Sequence, residues 1–206
     1  MGERVQVLFI LHRSVPVPQS VPPAERKRLA VWANAGRNKL IAGVAAGLAK
    51  NARRTLRGLG VDAADVNLVD RVRQRVVVLA ETAEQARRLK IFLPGWEVLD
   101  AVPIESEYAG WDEEPDPDDD PPPGKIATLV YAARYGVGCD VLVRATAGTG
   151  KLFWDSFLGG NNKPGTTPAL VVDIKDEAGD RERTDAEVRR REYRGQWLEE
   201  LQTTPK

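Results

Sequence analysis

The sequence predicts an α/β fold, a parallel β-sheet flanked by helices, and two observations carry that prediction. Short runs of apolar residues recur along the chain at VQVLFIL (5–11), VVVL (76–79), DVLVRAT (140–146) and PALVVDI (168–174). They are apolar at successive positions rather than at alternate ones, as expected of strands buried on both faces. Between them lie helix-length segments with 3.6-residue periodicity, and strands alternating with helices build a parallel sheet covered on both sides.

Taken in order, VQVLFIL is the first strand, and SVPVPQSVPP (14–23) is a proline-rich extended connection. From Ala24 the pattern is helical: Leu40, Ile41, Val44, Ala45 and Leu48 form one apolar stripe, with Arg37, Lys39 and Lys50 off it. DAADVNLVDRVRQ reads as a second helix capped by Asp62 and leads into the β-branched strand RVVVLAE. Thr82, or the residue before it, caps the helix TAEQARRLKIFL, with Glu81 and Glu84 near its positive end, and Pro94-Gly95 stops it. WEVLDAV is a short strand. IATLVYAARYG starts as a strand and turns helical, DVLVRAT and PALVVDI are buried strands, and TDAEVRRREYRGQWLEELQ is a charged amphipathic helix docked by Val188, Tyr193, Trp197 and Leu201. The organisation expected is an N-terminal strand and connection over 1–25, a main domain over 26–180 and a tail helix over 181–206.

The chain has 206 residues and no net charge, but the signs are separated along it. Residues 1–60 hold eleven Lys/Arg against Glu3 and Glu25, whereas 97–120 hold eleven Asp/Glu and no Lys or Arg. The basic part suits a phosphate-backbone footprint through Arg37 and Lys39, or a solvated helix face. The acidic block WDEEPDPDDDPPPG, within 105–124, reads as a disordered or extended loop. Asp116, Asp118 and Asp120 have the spacing that opens a calcium loop, but Pro121 stands where the turn glycine belongs and Ala127 where the closing Glu belongs. One cysteine, Cys139, and one histidine, His12, exclude a disulfide framework, a zinc cluster and a pair of catalytic histidines within this sequence, so no metal site is expected. No segment has the length of a membrane span, and a cytoplasmic protein is expected.

RATAGTGKL (144–152) follows the strand CDVLVR and imitates a phosphate-binding loop, GxxxxGK[ST]. Ala145 replaces the first glycine, Leu152 replaces the hydroxyl that would hold magnesium, and KLFWDSFLGG does not read as the helix that should follow. The segment is read as a glycine-containing turn after a sheet strand. Gly148 and Gly150 permit close approach of a ligand, and Lys151 is the candidate contact to a phosphate.

In order, RNKLIAGVAAGLA, RVVVLAETAEQARRLKIFLPGWEVLDA, IATLVYAARYGVGCDVLVRA and PALVVDIKDE with the arginine-rich tail resemble the second, C-terminal RecA-like lobe of superfamily 2 helicases and nucleic-acid translocases. The resemblance covers about 35–200, outside the acidic loop, and implies a RecA-like lobe of the P-loop NTPase fold. It implies that Thr128 and the turn Gly136 to Asp140 belong to a nucleotide cleft, which DVLVRAT approaches. It also implies contact with DNA or RNA backbone, without sequence preference. The family's two-arginine motif would fall in WDSFLGGNNKPG, which has no arginine, so Arg144 is the candidate substitute for the finger that stabilises a transferred phosphoryl group. The first lobe, with its phosphate loop and magnesium-binding acid, is absent from this sequence. ATP and magnesium are therefore expected only with a separate ATPase lobe as partner. Two other readings remain open at this stage: a non-catalytic RecA-like scaffold acting through protein contacts, and a free-standing P-loop NTPase using Gly150 and Lys151.

Overall fold

The computed structural model describes residues 5–13, 16–66, 68, 74–101, 123–148, 168–177, 180–195 and 198–203. It is built on a seven-stranded sheet. In chain order the elements are β1 (Gln6–His12), α1 (Pro23–Lys27) running into a π-helical turn (Arg28–Trp32), α2 (Ala35–Gly58) and a 3₁₀ turn (Ala63–Asp65). Then come β2 (Val76–Ala80), α3 (Ala83–Phe92), β3 (Glu97–Leu99), β4 (Gly124–Thr128) and α4 (Leu129–Tyr135). The chain continues with β5 (Val141–Arg144), β6 (Leu170–Asp176), α5 (Asp180–Gly195) and β7 (Glu199–Glu200). The strand order is β3-β4-β2-β5-β6-β1-β7, and every pairing is parallel.

The doubly apolar strands behave as their composition requires. Successive side chains of a strand point to opposite faces, so Leu8, Val76, Val78, Val141, Val143, Leu170 and Val172 join one core with Ile41, Ala45 and Leu48 of α2 and Ala86 and Leu89 of α3. Their neighbours Val7, Val77, Leu79, Leu142 and Val171 pack on the other face with Ala132 of α4 and Tyr193 of α5. Cys139 lies in this second core, where burial pushes its thiol up to about 12. Each large aliphatic side chain removed from water this way contributes about 1.5–3 kcal/mol.

Of the caps, Thr82 and Asp62 were read from the sequence, and Asn34 was not. Thr82 accepts from the Gln85 amide at the start of α3 (3.2 Å), and Asn34 accepts from the Arg37 amide at the start of α2 (2.9 Å). Asp62 also caps, accepting from the Ala64 amide (3.0 Å), but the helix expected over DAADVNLVDRVRQ is, in its described part, only the 3₁₀ turn Ala63–Asp65. Val66 is already extended, so the turn ends there. α5 begins ahead of the expected Thr184, at Asp180. β1 sits inside the sheet between β6 and β7, and the tail beyond α5 returns as β7, so both chain ends complete one sheet with the central residues. The acidic block lies outside the described residues up to Pro122, its last residue, Gly124, being the first of β4 rather than loop, and Trp197 lies outside them as well.

Candidate nucleotide-cleft edge of the sheet

Because every strand pairs parallel, all C-terminal strand ends lie along one edge. Ligands of open α/β sheets bind outside that edge. β1 ends there at His12, β2 at Ala80, β4 at Thr128, β5 at Arg144 and β6 at Asp176. α2 and α3 run back along the sheet from this edge, which places their first turns, with Arg37 and Gln85, beside the strand ends.

On the α2 face, Arg37 is fully buried and grips Asp176 with Nε (2.8 and 3.1 Å) and Nη2 (2.9 Å), while Nη1 donates to the Ala145 carbonyl (2.7 Å). His12 completes the Asp176 environment through Nδ1 (3.2 Å). Burial alone would raise the Asp176 pKa, but the Arg37 charge and the hydrogen bonds from His12 and Arg37 outweigh it and hold the carboxyl below its usual range. Gln85 donates to the same Ala145 carbonyl (2.9 Å) and accepts from the Glu81 amide (2.8 Å), tying the ends of β2 and β5 together.

The opposite face carries a second network. Asp173 of β6 is fully buried and accepts from Arg189 Nε (3.0 and 3.2 Å) and Nη2 (3.0 Å) and from the Tyr193 hydroxyl (2.5 Å). Arg144, register partner of Asp173, donates to Thr146 Oγ1 (2.9 Å), the Tyr193 hydroxyl (3.0 Å) and the Gly148 carbonyl (3.2 Å). Burial opposes the charge on Arg189, yet Asp173 holds its pKa above the ordinary arginine value, and burial raises that of Tyr193. Arg189 Nη1 reaches the Gly148 carbonyl as well (3.4 Å). The segment leaving β5 is thus held by buried cations from both faces, through Ala145 on one and Gly148 on the other. Gly148 has φ +101°, a left-handed conformation for which glycine is suited.

The sequence-predicted residues divide between the two ends of the sheet. Thr128 is at the cleft edge but serves α4, accepting from the Tyr131 amide (3.3 Å) and donating to Asp100 (3.1 Å). Gly136 and Asp140 are not with it: they lie between α4 and the start of β5, at the N-terminal edge. Gly136, at φ +70°, ends α4, and Asp140 fastens the start of β5 to Arg75 (2.8 Å to its amide and 2.9 Å to its guanidinium). Their expected place in the cleft is corrected, because the full length of β5 separates them from Arg144. Arg144 as a finger is corrected too: it is 2 % exposed, and Nε, Nη1 and Nη2 are all hydrogen-bonded inside the fold. Arg37 as a surface contact to nucleic acid is corrected on the same ground, whereas Lys39, two residues on, is exposed. Gly150 and Lys151 lie outside the described residues.

Sequence reasoning missed Asp173, Asp176 and Arg189. One signal was available: an acid inside LVVDIKD, a strand otherwise bound for the core, must bring a cation with it. Among the described residues, no group of three or more His, Cys, Asp and Glu side chains could hold a metal ion, and no helix is long and apolar enough to cross a membrane.

No protein-family model matches this chain, and no curated protein matches its sequence. Solved structures do resemble it. T4 UvsW superposes with a TM-score of 0.61 at 12% identity over 98% of this chain, which spans 41% of UvsW. The C-terminal part of the Fun30 ATPase domain matches 56% of this chain and 39% of its own length, with a TM-score of 0.38 and 10% identity. The likeness to UvsW extends over nearly every element described above, and with the all-parallel sheet it shows that the chain has a RecA-like α/β fold.

Proposed function

We propose that this chain is the second RecA-like lobe of a two-lobed nucleic-acid motor and faces a separate ATPase lobe across the C-terminal edge of its sheet. The observation that carries the reading is the segment after β5, fixed from both faces at the edge where open α/β sheets bind ligands. Two buried arginine–aspartate networks devoted to one short backbone segment suit a surface that must keep its shape against a partner. The sequence supports the need for that partner. Phosphoryl transfer requires a phosphate cradle, a held magnesium ion, a positioned water and charge stabilisation. RATAGTGKL has Leu152 in the magnesium-ligand position, and Arg144 is committed to the fold.

In this reading ATP and magnesium are held mainly by the partner lobe, with the backbone near Gly148 approaching the phosphates and Lys151 as the candidate phosphate contact. Exposed cations along the same edge, Lys39 and Arg13, contact nucleic-acid backbone without reading sequence. The test combines the chain with a lobe bearing an intact GxxxxGK[ST]. Nucleic-acid-stimulated ATP hydrolysis is expected from the mixture and not from this chain alone. Magnesium-dependent turnover by the purified chain, abolished by Lys151→Ala, overturns the reading in favour of a free-standing NTPase. A second reading, a non-catalytic scaffold, is favoured by the commitment of Arg144 to its buried contacts. It predicts that no mixture is active.

A further inference from the structure

We propose that the outer end of α2 is a separate binding surface for the phosphate backbone of a nucleic-acid duplex, formed by Lys50, Arg53, Arg54 and Arg57. The proposal stands independently of the two-lobe reading, since it requires neither a nucleotide nor a partner lobe.

The surface follows from how α2 is built. From Arg26 to Val61 the sequence contains no Asp or Glu. α2 starts at the cleft edge, where Arg37 meets Asp176, and the turn after it meets the first residue of β1, through Gln6 Nε2 donating to the Asp65 carbonyl (2.7 Å). Its last turns therefore lie toward the N-terminal edge of the sheet, away from the candidate cleft. Lys39, Gly43, Ala46 and Lys50 form its exposed stripe, and Arg53, Arg54 and Arg57 are exposed beyond it.

A break in the helix falls between Lys50 and the three arginines. Asn51 leaves the helical conformation (φ −158°, ψ 89°), and its side chain accepts from the Arg54 amide (2.9 Å), beginning a new short helical segment. Thr55 donates to the Asn51 carbonyl (2.9 Å) and packs against Gly47, where an added Cβ would stand 2.7 Å from Thr55 Oγ1. Leu56, buried in the core, fixes the inner side of the new segment, and its carbonyl accepts from the Val61 amide (3.0 Å). The arginines are thereby displayed from a fixed backbone rather than a frayed helix end. The nearest acids in sequence, Asp62 and Asp65, follow in the next turn, where the Asp62 side chain is taken up as the cap of Ala64.

The chemistry of the patch selects its partner. Its exposed neighbours on α2 include Gly43, Ala46, Asn51 and Gly58, so it offers no large apolar anchor of the kind on which protein interfaces depend. A phosphate backbone needs no such anchor, and arginine forks match phosphate oxygens. Four exposed cations within residues 50–57 suit a duplex, with about one charge per 1.7 Å of axis, better than a single strand.

The test is fluorescence anisotropy with a labelled duplex of about 20 base pairs, titrated from about 25 to about 200 mM salt. The variant K50Q/R53Q/R54Q/R57Q is expected to bind at least about tenfold more weakly, with a slope of log affinity against log salt reduced by about three. Thermal melting shows whether the variant is folded. As a second readout on the unmodified chain, bound duplex should protect Arg54 and Arg57 from phenylglyoxal. Unchanged affinity and slope in a folded variant, or no protection in the wild type, overturns the proposal. So does tighter binding at the same patch by a single strand, or by polyglutamate as a stand-in for an acidic protein. Failure of the two-lobe reading looks different: no ATP hydrolysis in any mixture, with duplex binding and its dependence on these four residues intact.

Discussion

The two edges of the sheet are each fastened by arginine–aspartate pairs, but in opposite environments. At the C-terminal edge Arg37–Asp176 and Arg189–Asp173 are buried on both sides, and each pair also reaches a backbone carbonyl of the segment after β5. At the N-terminal edge Arg75 binds Asp140 with comparable geometry, yet the Arg75 side chain is 52 % exposed. The contacts are alike and the consequences are not. A charge in water finds substitute partners, whereas a buried charge has only those the fold supplies. The C-terminal edge is therefore the end whose shape the sequence specifies most strictly, as expected of the end that meets a partner or ligand.

The largest expected effect comes from removing one member of a buried pair. Asp176→Ala leaves Arg37 desolvated without its carboxylate, and Asp173→Ala does the same to Arg189. Each is expected to cost about 3–5 kcal/mol, enough to unfold much of a marginally stable domain. Urea denaturation measures it. The double variant D173L/R189L should recover only part of that loss, since it removes the ion pair but leaves buried Arg144 without the Asp173 carboxylate 3.9 Å away and the Tyr193 hydroxyl without its acceptor. If both single variants lose less than about 1 kcal/mol, burial is not what separates the two edges.

A smaller effect is expected from pH. The folded pKa of Asp176 lies below that of the unfolded chain, so its contribution is fully present above the unfolded carboxylate value, about 3.9, and is lost as pH falls through the folded one. The melting temperature of the wild type should fall as the solution is acidified below about pH 4. Asp176→Asn should melt lower at neutral pH and show a shallower acid decline. Parallel acid profiles for the two proteins would count against Asp176 as a source of acid lability.

Much of this contrast was legible only in part. The strands could be read because apolar runs such as VVVL have no polar side to expose, and the α3 cap because Thr82 stands directly before the amides it serves. The strand order could not be read, nor could β7, whose two residues, Glu199 and Glu200, show no apolar run and gain their strand character from pairing with β1. The site was less legible still. Arg37 looked like one more cation in a basic stretch because the residue that claims it, Asp176, is 139 positions away. The place of Gly136 and Asp140 in the cleft rested on the family resemblance alone. The short helix α4 carries the chain from the end of β4 to the opposite edge before β5 begins, which a linear pattern does not reveal.

The smallest effect is expected at the N-terminal edge. Arg75→Ala removes the guanidinium that donates to Asp140 from Nη2 (2.9 Å) and, at longer range, from Nε (3.3 Å). Asp140 keeps its bond from the Arg75 main-chain amide (2.8 Å), which the substitution does not touch, and water can occupy the space left by a half-exposed side chain. The expected cost is about 1 kcal/mol or less, and it should shrink further as salt is raised, since an exposed pair is screened. Asp140→Ala should cost more than Arg75→Ala, because it also removes the acceptor of that amide at the start of β5. Urea melts of both variants at low and high salt measure the difference. A loss from Arg75→Ala matching that from Asp176→Ala would mean that partial exposure gives no relief, and the contrast between the two edges would disappear.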